Sequence, residues 1–235
     1  MNDPILECRG LSKRYGHGDA VALDKVNLSL YSGRIIGLLG PNGSGKTTLL
    51  KLVNGLLRPS SGSLLINGNE VGTATKAIVS YLPDRVCLDA SSRIRDLMAF
   101  YADFYADFRR NTAETMLANL GIDLNKRFKT LSKGNREKIQ LVLVMARKAR
   151  LYLLDEPIGG VDPAARDYII NTILNNYSED AALLISTHLI QDVERILDDI
   201  IFLKEGKVIL SGAADDIRSQ KGMSIDMLFR EVFKC

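Results

Sequence analysis

Net charge, cysteine, histidine and long apolar runs are all scarce in this 235-residue sequence. Its 31 lysines and arginines against 28 acidic residues leave a charge of +3. That is too small by itself to argue for a nucleic-acid partner. No apolar run approaches the roughly 18 residues that a bilayer span requires. The start, Met1-Asn2-Asp3-Pro4-Ile5, has no basic stretch followed by an apolar one, so no signal peptide is expected. Cys8, Cys87 and Cys235 are odd in number and scattered. They are expected as free thiols in a reducing compartment. Only His17 and His188 could join them, which argues against a Cys/His metal site. No linker or low-complexity segment interrupts the chain. Its length suits one large domain, or a core with a subdomain, able to bury a real core.

Against this background stands Gly40-Pro41-Asn42-Gly43-Ser44-Gly45-Lys46-Thr47-Thr48. It fits G-x-x-x-x-G-K-[ST], the phosphate-binding P-loop. The apolar run Ile35–Leu39 before it reads as a buried strand. Leu49, Leu50, Leu52, Val53 and Leu56 after it have helical spacing. Strand, glycine loop and helix are the context that separates the motif from a chance match. Glycines let backbone wrap phosphate closely, and successive N–H groups with the helix N-terminus face its charge. Lys46 is placed to reach the β- and γ-phosphates, and the Thr47 hydroxyl to bind Mg²⁺.

Residues 5–37 read as short strands, Ile5–Cys8, Val21–Leu23 and Val26–Leu30. Tyr15 falls in the polar turn Lys13–Gly18, where it either stacks on a base or simply packs. Leu64–Val71 reads as a hairpin around Asn67-Gly68. Residues 91–149 turn helical. From Arg93 to Phe108 a helix would carry the duplication Tyr101-Ala-Asp-Phe104 and Tyr105-Ala-Asp-Phe108. The four-residue period sets Tyr101 beside Tyr105 and Phe104 beside Phe100 and Phe108, with Asp103 and Asp107 on the other side. Such a face either packs into a core or docks a partner. From Lys126 to Arg150 the only acidic residue is Glu137; the bases are solvated helix faces, or contribute to phosphate or membrane-surface attraction.

Two apolar strands follow and each ends in polar residues: Leu151–Leu154 in Asp155-Glu156, and Ala182–Ile185 in Ser186-Thr187-His188. Such runs alternating with helices indicate a parallel α/β sheet, whose ligands bind beyond the carboxyl ends of its strands. Ile200–Leu210 reads as a closing hairpin. Asp155 stands where a Walker-B aspartate would hold the Mg²⁺ shell. Glu156 is placed to polarise an attacking water as general base. His188 either contacts the γ-phosphate or is structural. Ser132, in Leu131-Ser132-Lys133-Gly134-Asn135, suits a helix N-cap, and that helix start is also a second anion site. With one P-loop and two phosphate-friendly helix starts, two head-to-tail chains could use both sets.

In the order of these motifs the chain resembles the ATP-binding cassette (ABC) ATPases over nearly its whole length. Tyr15 resembles the adenine-stacking aromatic, Gly40 to Thr48 the Walker A loop, Leu131 to Asn135 the signature, and Leu151 to Asp155 Walker B. Glu156 looks like the catalytic glutamate, Gly160-Val161-Asp162 like the D-loop, and His188 like the switch histidine. The resemblance implies an α/β fold: a P-loop NTPase core with an antiparallel β subdomain (1–84 and 148–235) and an inserted α-helical subdomain (85–147). It implies ATP and Mg²⁺ as ligands, with Lys46, Glu156 and His188 catalytic. Nucleotide would be held by Tyr15, the loop from Gly40 through Pro41, Asn42, Gly43, Ser44, Gly45, Lys46 and Thr47 to Thr48, and Ser132 and Gly134 of a second chain. Thr47, Asp155 and Asp84 would serve the metal. Closure of a head-to-tail homodimer, or of a heterodimer with a related ATPase, would drive transmembrane permease subunits between states. The expected location is cytoplasmic, peripheral on the inner face of the cell membrane.

Three features depart from the family pattern. The Q-loop glutamine falls at Asp84, shorter and charged. The signature reads LSKGN rather than LSGGQ, which alters what Lys133 and Asn135 present to the opposing nucleotide. Arg127-Phe128-Lys129-Thr130 stands where fused exporters carry a TEVGE-like stretch. The stretch Tyr81–Asp84, the KGN signature and the tail Ser224–Phe229 resemble stand-alone ATPase subunits of bacterial exporters for drugs, peptides and lipid-linked products. An importer ATPase, or a soluble ABC ATPase of iron–sulfur assembly, is the alternative. Nucleic-acid work fits poorly, because those relatives carry tandem cassettes or long coiled-coil insertions.

Overall fold

The computed structural model describes residues 3–16, 20–161 and 163–234, without the side chains of 163–165. The strands are β1 Leu6–Tyr15, β2 Ala20–Leu30, β3 Arg34–Leu39, β4 Ser61–Ile66, β5 Asn69–Glu70, β6 Val79–Leu82, β7 Leu151–Asp155, β8 Ala182–Thr187, β9 Asp199–Lys204 and β10 Lys207–Ala213. The helices are α1 Lys46–Val53, α2 Thr73–Ile78, α3 Ile94–Phe104, α4 Arg110–Asn119, α5 Lys133–Met145, α6 Pro163–Asn176, α7 Ile190–Val193, α8 Ala214–Lys221 and α9 Ile225–Phe233.

Two sheets form. One has four strands in the order β2-β1-β4-β5, paired antiparallel. The other has six, β10-β9-β3-β8-β7-β6, parallel from β9 to β6 with β10 antiparallel at its edge. Strands β7 and β8 are buried along their whole length, as continuous apolar runs covered on both faces must be. Strand alternation then divides the core in two. Ile35, Leu39, Tyr152, Leu154, Leu183 and Ile185 face α3 to α6 and α9. Ile36, Leu38, Leu151, Leu153 and Leu184 face α1 and the four-stranded sheet. Residues 85–147 supply α3, α4, a 3-10 turn at Phe128–Thr130 and α5, and no strand of either sheet among the described residues.

Several local expectations are corrected. The first strands are two long, bulged ones, so Tyr15 ends β1 rather than standing in a turn. The helix after the P-loop stops at Val53 and leaves Leu56 exposed. Gly55 ends it at φ 71°, its N–H on the Leu52 carbonyl (3.0 Å) and that of Leu56 on Lys51 (2.8 Å). These paired bonds are a Schellman stop, and a left-handed glycine makes it cheap. The aromatic helix also ends early, at Phe104, so Phe108 packs on Tyr101 (ring centroids 5.7 Å) instead of Phe104. Phe100 and Phe104 pair at 4.4 Å and stay exposed. Asp107 turns inward, because Arg147 is buried beneath it and needs a counter-charge. The Arg147 guanidinium donates to Asp107 at 2.9 and 3.1 Å and to the carbonyls of Ala77 and Val79, and lies 3.8 Å from the Tyr105 ring centroid.

Candidate functional site

The carboxyl ends of β3, β7 and β8 open on one cleft of about 810 Å³. Its floor is the P-loop, from Asn42 to Thr48, and Glu156, Gly159, Gly160 and His188 line one side. Asp84, Arg85 and Val86, from the loop after β6, and Lys133, Arg136 and Glu137, from α5, also line it. The loop is held between the two sheets. A Cβ on Gly40 would stand 2.3 Å from the Leu203 carbonyl oxygen, and one on Gly45 (φ 109°) 2.4 Å from that of Ala22. The Gly206 N–H, in the β9–β10 turn, donates to the Ser44 carbonyl (2.9 Å), and the Asp24 N–H to that of Gly206 (2.9 Å). Only glycine allows both approaches.

Lys46 is 5% exposed. Its Nζ donates to the carbonyls of Gly40 (2.7 Å) and Pro41 (3.2 Å) and lies 3.4 Å from Glu156 Oε1. Glu156 sits at φ 49°, a left-handed turn just past β7, with its N–H on the Ser186 carbonyl (2.9 Å). Its carboxylate is 3.1 Å from His188 Nδ1 through either oxygen. The three residues expected to be catalytic therefore meet around one carboxylate.

Asp155 is 1% exposed. Thr47 Oγ1 (3.2 Å) and Ser186 Oγ (2.6 Å) both donate to its Oδ1. Burial pushes its carboxyl above the usual range, those two hydroxyls oppose the shift, and the charges of Asp84 and Glu156 add to it. Its Oδ2 is buried with no hydrogen-bond partner among the described residues. A buried acceptor left open beside a threonine hydroxyl suits Mg²⁺, which takes few protein oxygens and keeps waters and phosphates as its other ligands. Among the described residues no group of three or more His, Cys, Asp or Glu forms a full metal cage. Ser44 Oγ is likewise buried with no partner among the described residues.

Tyr15 is half-exposed, its hydroxyl 3.3 Å from Thr48 Oγ1. That places it at the rim of the loop. Ser132 caps α5 by accepting the Asn135 N–H (3.3 Å). Ser132 and Gly134 do not line their own chain's cleft, although Lys133 and Arg136 do. Asp162 lies outside the described residues. Two contributors escaped sequence reading. Ser186 is visible only once the register sets it opposite Asp155. Arg85 reaches the cleft through tertiary placement and carries no local signal, whereas Arg136, which also lines it, belongs to the basic run read as solvated or as attracting phosphate.

A family model described as ABC transporter matches residues 23–159. An uncharacterized ABC transporter ATP-binding protein, MJ1023 of Methanocaldococcus jannaschii, is 30% identical over 219 residues, 91% of this chain and 79% of its own. The daunorubicin resistance ATP-binding protein DrrA3 of Streptomyces coeruleorubidus is 29% identical over 240 residues, covering 98% of this chain and 75% of its own. A solved structure described as the ATP binding subunit of an ABC transporter superposes with a TM-score of 0.87 at 28% identity, across 97% of this chain and 99% of that one. The same α/β arrangement of sheets and helices, the P-loop cleft and the matched family model lead to one conclusion: the chain belongs to the ABC transporter family and is an ATP-hydrolysing subunit of such a transporter.

Proposed function

We propose that the cleft hydrolyses ATP with Glu156 as general base, Lys46 and the P-loop holding the phosphates, and His188 orienting Glu156. One observation carries this reading: the Glu156 carboxylate stands within 3.4 Å of Lys46 Nζ and 3.1 Å of His188 Nδ1, directly after Asp155. Backbone N–H groups from Gly43 to Thr48 supply donors for the β- and γ-phosphates, and Tyr15 an aromatic rim for the base. Thr47 and Asp155 would hold Mg²⁺, whose charge neutralises the phosphate oxygens. Glu156 then takes a proton from water as its oxygen attacks the γ-phosphorus and the bond to ADP breaks. Asp84 faces the same space from across the cleft.

The finer reading extends to the assembly. Ser132 and Gly134 serve the nucleotide of a second, head-to-tail cassette, because they lie outside their own cleft. Residues 85–147 act as the helical subdomain that presents them, and the rest as the core. No helix among the described residues is long and apolar enough to cross a membrane. Membership of the ABC transporter family supports separate permease subunits as the membrane passage, with this chain peripheral on their cytoplasmic side. Similarity to a daunorubicin resistance protein favours export of a drug-, peptide- or lipid-like compound.

Glu156→Gln tests the core of the reading. The variant is expected to bind MgATP with near wild-type affinity, lose at least about a hundredfold in turnover, and elute as a dimer in ATP. Turnover at the wild-type rate would overturn the assignment.

A further inference from the structure

Gln140 is an uncharged polar side chain on α5, 3% exposed, and none of the expected motifs uses it. Its amide spans the loop that follows β6. Gln140 Oε1 accepts the Cys87 N–H at 2.9 Å, and Gln140 Nε2 donates to the Pro83 carbonyl at 3.4 Å. Between those two anchor points stand Asp84, Arg85 and Val86, all three facing the cleft. Farther along α5 the strand itself is fastened by Ser80 Oγ on the Val144 carbonyl (2.9 Å), and past the end of the helix by Arg147 on Val79. Gln140 is thus the fastening nearest the cleft, and the one that acts on the loop rather than the strand. An apolar side chain of equal size would fill the same space and leave both backbone groups unpaired.

We infer that Gln140 is a positioning residue: it fixes the 83–87 loop to α5 and so sets where Asp84 and Arg85 stand over the P-loop. It touches no substrate. The two groups it joins are the loop facing this chain's nucleotide and the helix that begins at Ser132. The functional part of this inference rests on the ATP site proposed above; the fastening itself does not.

Cys87 reports on the loop directly. The residue is exposed, but partial burial raises its thiol above the usual value, so opening of the loop speeds labelling; Cys8 is buried and its thiol is pushed up to about 12 by that burial. In a Cys235→Ser background, thiol labelling of the native protein reads Cys87. Gln140→Met is expected to raise the labelling rate on the order of tenfold, as loss of two part-buried hydrogen bonds favours local opening. Protection by MgATP should fall in parallel, and KM for ATP should rise more than kcat falls. Wild-type labelling in a folded Gln140→Met protein would overturn the inference. If that variant does not fold, exchange of the Cys87 amide in the wild-type protein decides. Protection like that of α5 supports the fastening, and exchange at an open-loop rate refutes it. Faster labelling of the variant with no effect of MgATP on either protein would keep the fastening and refute the placement of Asp84 at the nucleotide.

Discussion

Ser186 sets the state of the residue beside it. Its hydroxyl gives Asp155 the shorter of two hydrogen bonds, 2.6 Å against 3.2 Å from Thr47. Hydrogen bonds to a charged, buried group stabilise by about 1.5–3 kcal/mol. Ser186→Ala should therefore lower the unfolding free energy of the nucleotide-free protein by about that much near neutral pH. The sign of the pH effect follows from the direction of the shift. Asp155 titrates above the ordinary carboxylate value, so in that window the folded state binds more protons than the unfolded one. Its contribution to stability then falls as pH rises from the ordinary value through the raised one. Removing Ser186 removes a group that lowers the shift, so the fall extends to higher pH. Urea unfolding at several pH values checks this: the difference between variant and parent should shrink once acid protonates Asp155.

At the scale of elements, what could be read in the sequence was what is contiguous. Strand β3, the P-loop and α1 follow one another, so each one's evidence supports the next. The Asn67-Gly68 hairpin and the Ser132 cap are equally local. The errors fell where a distant group decides. Asp107 had the spacing of a solvent-facing residue, and a buried arginine forty positions on turned it inward. The end of α1 was readable in principle, since Asn54-Gly55 is a common helix stop, but the apolar period ran through it to Leu56. That the P-loop, Asp155-Glu156 and His188 share one edge follows from reading their strands as one parallel sheet, but no spacing predicts that Lys46, Glu156 and His188 come within hydrogen-bonding reach. Gly55→Ala tests the helix stop. The new Cβ would meet Val71 Cγ1 at 2.8 Å in a left-handed backbone. The expected loss is about 1–2 kcal/mol of stability, read by urea unfolding. ATP turnover per folded molecule should be unchanged, since Gly55 does not line the cleft.

At the scale of the molecule, the proposed head-to-tail pairing makes a complementation result specific. Lys46→Ala removes the phosphate lysine, and Ser132→Arg blocks the contact offered to a partner. Each protein alone should be inactive. Mixed, half of the dimers would carry one intact site, so up to about a quarter of wild-type turnover should return. No recovery on mixing would refute the shared site. A different consequence follows from the way the phosphate loop is lodged. One flank lies against the end of β9 and its turn, the other against the β2 backbone, with carbonyl oxygens close enough to exclude any methyl group. A cradle keyed from both sides depends on both: neither sheet can loosen without spoiling its shape. Loosening of either sheet on heating would then cost nucleotide affinity, so affinity should be lost no later than the fold itself.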